Sequence, residues 1–180
     1  MDCTAACDFF VVPTINFRLL SCFVILGHGR RRILHFNVTE HPSARWTAQQ
    51  IVEAFPADGT ESRYLLRDRD AIYGSHFRKR VRNMGIKELL IAPRSPWQNP
   101  YCERVIGSIR RECTNHVIVW NEDHLRRILL KYMDYYNGSR PHSSLDGDAP
   151  AGRQVETAAK GRVVAIPQVG GLHHRYTRVA

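Results

Sequence analysis

Three acidic residues have the types and the spacing that metal-assisted phosphoryl chemistry requires. Asp8 opens an apolar run, Asp68 follows a second apolar run, and Glu103 opens a basic amphipathic segment. Carboxylates held rigidly by strands and helices can converge on hard cations, which prefer oxygen ligands. Two magnesium ions held this way activate an attacking water or hydroxyl and stabilise the leaving oxygen of a phosphodiester. Asp8, Asp68 and Glu103 are therefore candidate metal ligands.

Each of these acids also has a simpler explanation when it is taken alone. Asp8, at the start of a predicted strand, could be a turn residue or an ion-pair partner. Asp68 lies in Arg-Asp-Arg-Asp, which is typical of a solvated charged loop, and Asp70 in the same loop is its rival. Glu103 could serve only to complement a helix dipole. The elements that position the three acids must decide between these explanations.

The first part of the chain predicts an antiparallel meander. Apolar and β-branched residues run from Phe9 to Val12 and from Leu19 to Leu26, with Pro13, Thr14 and Asn16 between them. A third strand, Arg31 to Val38, alternates its residues in the period of a half-buried strand after a Gly-His-Gly turn. Three sequential strands with short connections pair antiparallel.

Helical periodicity then alternates with short strands. Thr47 and Gln50 fit a capping box and predict a helix from about Thr47 to Phe55. Further on, Tyr64 to Leu66 is a short strand, a helix ends at Gly85, and Lys87 to Ala92 is the last strand of this part. The order of elements indicates an α/β fold.

The helix that carries Glu103 has two distinct sides. It follows the Pro93 to Pro100 loop and runs to about Cys113. On a helical wheel one side is apolar (Cys102, Val105, Ile106, Ile109, Cys113) and another aligns Glu103, Gly107 and Arg110. The apolar side is expected to pack, which leaves the Glu103 side facing outward. A last helix begins near Asn121 and closes at Asn137-Gly138.

The final residues predict a linker and a small hairpin. From Asp146 to Gly161 the chain is rich in Gly, Ala and Pro. Val163 to Val169 is then a predicted strand, and Gly170-Gly171 is a hairpin turn that leads to Leu172 to Val179, in a tail that is small and basic. We expect a core over residues 1–150, followed by a linker and a β tail over residues 151–180.

The composition indicates a basic protein whose charge favours binding to polyanions such as nucleic acid. The 180 residues include 26 Lys and Arg against 17 Asp and Glu, a net charge of +9, and one main domain is the expectation for this length. No apolar run approaches the roughly 20 residues that span a bilayer, so we expect no membrane association and a cytoplasmic location. The five cysteines form no Cys-x-x-Cys pair, and neither disulfides nor a zinc site are indicated.

Longer sequence segments around the acids resemble those of a known family. The segments are Leu-Leu-Arg-Asp-Arg-Asp-Ala-Ile-Tyr-Gly (65–74), Ala-Pro-Arg-Ser-Pro-Trp-Gln-Asn-Pro-Tyr-Cys-Glu-Arg (92–104) and Tyr-Tyr-Asn-Gly-Ser-Arg-Pro-His (135–142). Together they resemble the integrase catalytic core, of the type with two aspartates and one glutamate, of bacterial insertion-sequence transposases and retroviral integrases. The resemblance extends over about Cys7 to Pro150, and Glu103 at 35 positions after Asp68 is its most specific part.

The resemblance implies a fold and a reaction. The fold would be similar to ribonuclease H: an α/β fold with a mixed five-stranded sheet flanked by helices, here with a small basic C-terminal hairpin. The activity would be metal-dependent phosphodiester cleavage and DNA strand transfer. Asp8, Asp68 and Glu103 would hold Mg²⁺, or Mn²⁺ in its place, and the family pattern favours Asp68 over Asp70.

The resemblance also implies how the chain would contact DNA. DNA, as transposon ends and target, would be the partner, with assembly into a homo-oligomer. The expected DNA-binding residues are Gln98, Asn99, Arg104, Arg110 and Arg111. Family members usually place a DNA-binding region before the core, whereas seven residues precede Asp8, so we expect a shortened copy. Two alternatives stay open: a catalytically silent DNA-binding or oligomerising protein, and a nuclease of the same fold that cuts without joining.

Overall fold

Five strands form the central sheet of the computed structural model, which describes residues 3–55 and 62–180. The strands are β1 (Thr4–Pro13), β2 (Leu19–Gly27), β3 (Ile33–Thr39), β4 (Tyr64–Arg67) and β5 (Lys87–Leu90). Their spatial order is β3-β2-β1-β4-β5. The meander of β1, β2 and β3 is antiparallel, as predicted, and β4 and β5 continue it in parallel with β1. The predicted mixed five-stranded sheet is confirmed.

Helices cover both faces of this sheet. They are α1 (Ala44–Ala54), α2 (Ser75–Asn83), α3 (Pro100–Glu112) and α4 (Glu122–Gly138). Along β1, Ala6 and Phe10 pack in the layer that contains α3 and α4, whereas Cys7 packs with α1 and α2 on the other face. Because side chains alternate between faces along a strand, Asp8 lies on the same face as α3.

β1 begins earlier than the sequence indicated. Asp8 lies inside the strand, where it pairs with Val24, and not at its start. Ala5 and Ala6 have weak strand propensity, so the apolar pattern missed the start of the strand. The strand extends because Ala5 pairs with Gly27 on one side and with Leu65 on the other, and is fully buried.

The start of α1 also differs from the prediction. Ser43 is the N-cap, and its side chain accepts a hydrogen bond of 3.2 Å from the Trp46 backbone N–H. The capping box at Thr47 and Gln50 is therefore wrong. The Thr47 hydroxyl donates to the Ser43 carbonyl within the first turn, and the Gln50 side chain accepts from Asn37 on β3. Serine is the stronger cap, and it was available four residues earlier.

The C-terminal hairpin forms as predicted and docks on the helical layer. It consists of β6 (Arg162–Gln168) and β7 (His173–Val179), paired antiparallel. The His173 ring stacks on Tyr135, with ring centroids 4.5 Å apart, and its Nε2 lies 2.7 Å from the Glu112 carbonyl oxygen. The division between residues 150 and 151 stays a prediction.

A half-buried ion pair joins α3 to the end of α4 beneath this hairpin. Arg140 donates to both carboxylate oxygens of Glu112, from Nε at 2.8 Å and from Nη2 at 2.6 Å, and the Tyr132 hydroxyl donates at 2.9 Å. Burial raises the pKa of Glu112, but these hydrogen bonds outweigh it and the net pKa lies below the usual value. Arg140, from the Arg-Pro-His segment at 140–142, thus forms a structural clamp with Glu112.

Replacing Glu112 should destabilise the fold strongly. In Glu112→Ala the Arg140 charge and the Tyr132 hydroxyl lose their shared partner, and we expect a loss of about 2 to 3 kcal/mol in the free energy of unfolding. Asp123→Ala is the matched control, because Asp123 pairs with Arg126 but its side chain is 79% exposed, and a loss below about 1 kcal/mol is expected. Urea denaturation measures both variants, and equal losses would contradict the role given to the clamp.

Two further sequence expectations concern membranes and cysteines. Within residues 3–55 and 62–180, no helix is both long enough and apolar enough to cross a membrane. All five cysteines are free thiols, and four of them are buried.

Candidate active site

Strand register brings Asp8 and Asp68 side by side. β1 and β4 pair in parallel from Thr4 opposite Tyr64 to Ala6 opposite Leu66. Asp8 and Asp68 each lie two residues after this last pair, so both acids stand at the same level of adjacent strands. Neighbouring strands are about 4.8 Å apart, and residues in parallel register point to the same face. Both carboxylates therefore lie on the α3 side of the sheet.

The helix α3 adds Glu103 from above this face. Its apolar side, which includes Cys102, Val105 and Ile106, is buried against the sheet, and Glu103 in the first turn remains exposed. Four acids from three separate segments line one cavity of about 370 Å³. The cavity is lined by Asp8, Asp68, Arg69, Asp70, Ile91, Ala92, Pro93, Arg94, Ser95, Asn99 and Glu103.

The carboxylates in this cleft repel one another. Burial raises the pKa of Asp8 to about 7, and the neighbouring charges of Glu103, Asp68 and Asp70 contribute to the rise, against a 2.8 Å hydrogen bond from the Phe9 backbone N–H. Asp8 therefore carries a proton part of the time near neutral pH. A cation in the cleft would relieve this repulsion, because an opposite charge favours the ionised form.

Asp68 and Asp70 differ in burial and in their effect on the pKa of Asp8. Both line the cleft, but Asp68 raises the pKa of Asp8 more strongly than Asp70 does. Asp70 is exposed, and its Oδ1 accepts a 2.8 Å hydrogen bond from the Ile72 backbone N–H, while the Asp68 Oδ1 accepts one of 3.1 Å from the Asp70 backbone N–H. Asp68 is half-buried.

The oxygen donors of the cleft are of the kind that binds a divalent ion, although they are too far apart to coordinate one together in this structure. Asn99 is 1% exposed and lines the cleft, and its Oδ1 has no hydrogen-bond partner among the residues described. Carboxylate and amide oxygens are the ligands that Mg²⁺ takes. Within residues 3–55 and 62–180, however, no three His, Cys, Asp or Glu side chains are close enough together to coordinate one ion. The side chains must therefore draw inward to bind metal.

Two arginines at the cleft were not singled out from the sequence. Arg69 follows Asp68 directly, and its Nε donates to the Ile91 carbonyl at 3.1 Å. Arg94 lies in the loop after β5 with φ of 57°. Only the proximity of Arg69 to Asp68 was visible in the sequence, since the position of Arg94 depends on the path of the loop.

The two predicted DNA-binding residues before α3, Gln98 and Asn99, lie in different environments. The Gln98 side chain is exposed, and its Oε1 accepts a 2.7 Å hydrogen bond from the Ala92 backbone N–H. Asn99 is buried at the cleft instead of facing solvent. Their neighbour Trp97 is 71% exposed. The loop thus presents one large aromatic side chain to solvent next to the acids.

The three predicted DNA-binding arginines of α3 lie in different places. Arg104 lines a second cavity and not the acidic cleft. The Arg110 guanidinium carbon is 6.0 Å from the Phe10 ring centroid. Arg110 shares the helix side of Glu103, and Arg111 is one residue further round. The structure thus brings together the acids and Asn99, and spreads the arginines along α3.

Comparison with known proteins assigns the fold to the integrase catalytic cores. Residues 84–150 match the family described as integrase core domain, so the predicted resemblance is confirmed. This segment includes Glu103, whereas Asp8 and Asp68 lie before it.

Curated relatives come from bacterial insertion elements. The chain is 24% identical over 170 residues to an uncharacterized 39.2 kDa protein of insertion element IS476 from Xanthomonas euvesicatoria, which covers 94% of this chain and 49% of the relative. It is 37% identical over 81 residues to an uncharacterized 31.7 kDa protein of insertion element IS407 from Burkholderia multivorans, covering 45% and 28%. The chain thus spans about half or less of each relative. The expectation of a shortened copy stays a prediction.

Solved structures share the fold at low identity. The HTLV-2 integrase catalytic core in complex with magnesium matches with a TM-score of 0.65 at 12% identity, over 83% of this chain and 94% of that one. The catalytic domain of the Mos1 mariner transposase matches with a TM-score of 0.62 at 14% identity, over 73% and 70%. These structures confirm the ribonuclease H-like fold.

Proposed function

We propose that this chain is the catalytic core of a DNA transposase or integrase, which cuts and joins DNA strands at the acidic cleft. The observation that carries the proposal is the convergence of Asp8, Asp68 and Glu103 from β1, the end of β4 and α3 on one cavity. The integrase core match supports this reaction, and the curated relatives are uncharacterized proteins of insertion elements, which is consistent with it. Solved relatives include an intasome and dimeric and trimeric cores, which supports assembly of this chain into a homo-oligomer.

In the proposed reaction, acidic side chains of this chain bind metal ions and arginine side chains neutralise phosphate charge. Asp8, Asp68 and Glu103 would hold two Mg²⁺ or Mn²⁺ ions, with the Asn99 amide oxygen beside them. Bound ions of this kind activate a water or a DNA 3′ hydroxyl and stabilise the leaving oxygen. Arg69 and Arg94 neutralise charge on the phosphate that is attacked, because phosphoryl transfer depends mainly on placement and charge neutralisation.

Exposed residues around the cleft would hold the DNA itself. Trp97 offers a flat apolar surface on which an unpaired base at a DNA end can stack. Arg104, Arg110 and Arg111 would bind backbone phosphates and release counterions. The Gln98 side chain accepts a hydrogen bond from the Ala92 backbone N–H, so Gln98 would support DNA binding mainly by fixing the shape of the loop.

Strand transfer on labelled DNA tests the proposal. The full chain is incubated with a labelled duplex oligonucleotide and a plasmid target, with Mg²⁺, Mn²⁺ or EDTA. We expect metal-dependent cutting and joined products. Cutting without joining would support the nuclease, and DNA binding without either reaction would support the silent protein.

The choice between the two aspartates of the β4 loop gives a sharper prediction. We expect Asp68→Asn to lower cutting by on the order of 10³-fold, because an amide is a poorer ligand for a hard cation than a carboxylate. Asp70→Asn is the matched control, because it keeps the local turn and removes one charge. We expect Asp70→Asn to retain activity within about tenfold. Initial rates of cutting measure both, and the reverse order would move the second ligand to Asp70.

A further inference from the structure

A second cavity lies across α3 from the acidic cleft, and its charge is opposite. It has a volume of about 240 Å³ and is lined by Arg31, Tyr101, Arg104, Val105, Tyr136, Arg140, Pro141, His142, Ser143 and Ser144. Three guanidinium groups line it, and no carboxylate does among the residues that the structure describes. We call it the basic pocket.

Two of the guanidinium groups are free to bind an anion. Neither Arg31 nor Arg104 has a carboxylate oxygen within ion-pairing distance in the part of the chain that the structure describes. Arg140 is paired with Glu112, but Glu112 lies outside the lining of the pocket. The basic pocket therefore keeps a net positive charge.

Arg31 is held in place before any ligand arrives. Its guanidinium carbon lies 3.3 Å from the centroid of the Tyr101 ring, and its Nη1 donates to the His28 carbonyl. A stacked arginine loses less side-chain freedom on binding than a mobile one, and its planar fork suits phosphate oxygens.

His142 contributes a second polar group to the basic pocket. It is 8% exposed, and its buried Nε2 has no hydrogen-bond partner among the residues described. Buried polar atoms of folded proteins are almost always paired. An anion oxygen in the basic pocket can accept a hydrogen bond from Nε2 in the tautomer, or the protonated form, in which that nitrogen carries a hydrogen.

We propose that the basic pocket binds one backbone phosphate of the DNA strand whose neighbouring phosphodiester enters the acidic cleft. This inference rests on the proposed function. Arg104 directly follows Glu103, and successive helix residues are about 1.5 Å apart along the axis and about 100° apart around it. A strand that crosses the first turn of α3 therefore passes from one cavity to the other. The pocket fixes the register of the strand, and the acids perform the chemistry.

A charge placed at the rim of the pocket tests this inference. Ser144 is exposed, so Ser144→Asp and the isosteric neutral variant Ser144→Asn should both fold. Binding of the full chain to a fluorescent duplex is measured by anisotropy in EDTA over a series of salt concentrations. We expect Ser144→Asp to bind about three- to tenfold more weakly than Ser144→Asn, with the salt slope reduced by about 0.9 through the loss of one phosphate contact. Equal affinities and slopes would overturn the proposal.

Neutralising single phosphates identifies the bound group. Replacing them one at a time by methylphosphonate should reveal a position that weakens binding of the unaltered chain and has no further effect on Ser144→Asp. The absence of such a position would also overturn the proposal. Both binding experiments are performed without metal and so do not depend on cutting. A chain that binds DNA in this way but does not cut it would refute the proposed function and leave the assignment of the basic pocket intact.

Discussion

Glu103→Gln should abolish metal-dependent cutting and joining of DNA while leaving the fold intact. Glutamine keeps the size of the side chain but removes the charge that a hard cation requires, and we expect a loss on the order of 10³-fold or more. Glu103 is exposed in the first turn of α3, so the loss of its helix-dipole contribution should cost less than about 1 kcal/mol. Initial rates of strand cutting and thermal unfolding measure the two effects separately.

Glu122→Gln is the matched control for this experiment. It makes the same replacement in the first turn of another helix, α4, outside the residues that line the cleft. We expect activity within about twofold of the unaltered chain. Full activity in Glu103→Gln would remove Glu103 from the site.

Glu103→Gln should also change the titration of Asp8. Among the charges that raise the pKa of Asp8 from 3.8 to about 7, that of Glu103 has the largest effect. Removing it should lower the pKa of Asp8, which carbonyl NMR across a pH series would detect. An unchanged pKa would mean that the two carboxylates are not close enough to share a cation.

Asp8→Asn should lose activity and gain stability at the same time. The pKa of Asp8 is higher in the folded chain, at about 7, than its ordinary value of 3.8. Between these values the folded chain binds more protons than the unfolded chain, so the free energy of unfolding falls as pH rises. The stabilisation from protonated Asp8 is complete below about pH 4 and lost above about pH 7. An asparagine at this position does not titrate, and its amide oxygen can still accept the hydrogen bond from the Phe9 backbone N–H.

Urea denaturation of the metal-free proteins measures this effect. At pH 8 we expect Asp8→Asn to be more stable than the unaltered chain by about 4 kcal/mol, and the difference should shrink towards pH 4. Added Mg²⁺ should stabilise the unaltered chain at pH 8, because it binds the folded state, and should stabilise Asp8→Asn much less. Parallel pH profiles for the two proteins would contradict the raised pKa of Asp8.

The fold was predictable wherever a local pattern was strong. The alternation of β3, the apolar stripe of α4 and the paired glycines of the last hairpin all led to elements that the structure contains. The start of β1 was not predictable, because Ala5 and Ala6 become a strand only through partners on both sides. The start of α1 was misplaced because two residues with capping ability, Ser43 and Thr47, lie one turn apart.

The candidate site was partly predictable for the same reason. Asp8, Asp68 and Glu103 stood out by residue type and by the sequence segments around them. The unpaired Asn99 oxygen, the position of Arg94 and the basic pocket around His142 depend on how distant segments pack, and no local pattern encodes that. The clamp between Glu112 and Arg140 joins residues 28 positions apart and was equally invisible.

The most direct test of the metal site is anomalous diffraction from crystals of the full chain soaked in Mn²⁺. We expect two anomalous peaks about 4 Å apart, bordered by the carboxylates of Asp8, Asp68 and Glu103. Manganese bound in the cleft through Asp70 without Asp68, or bound only outside the cleft, would contradict the assignment of these three residues as the ligands.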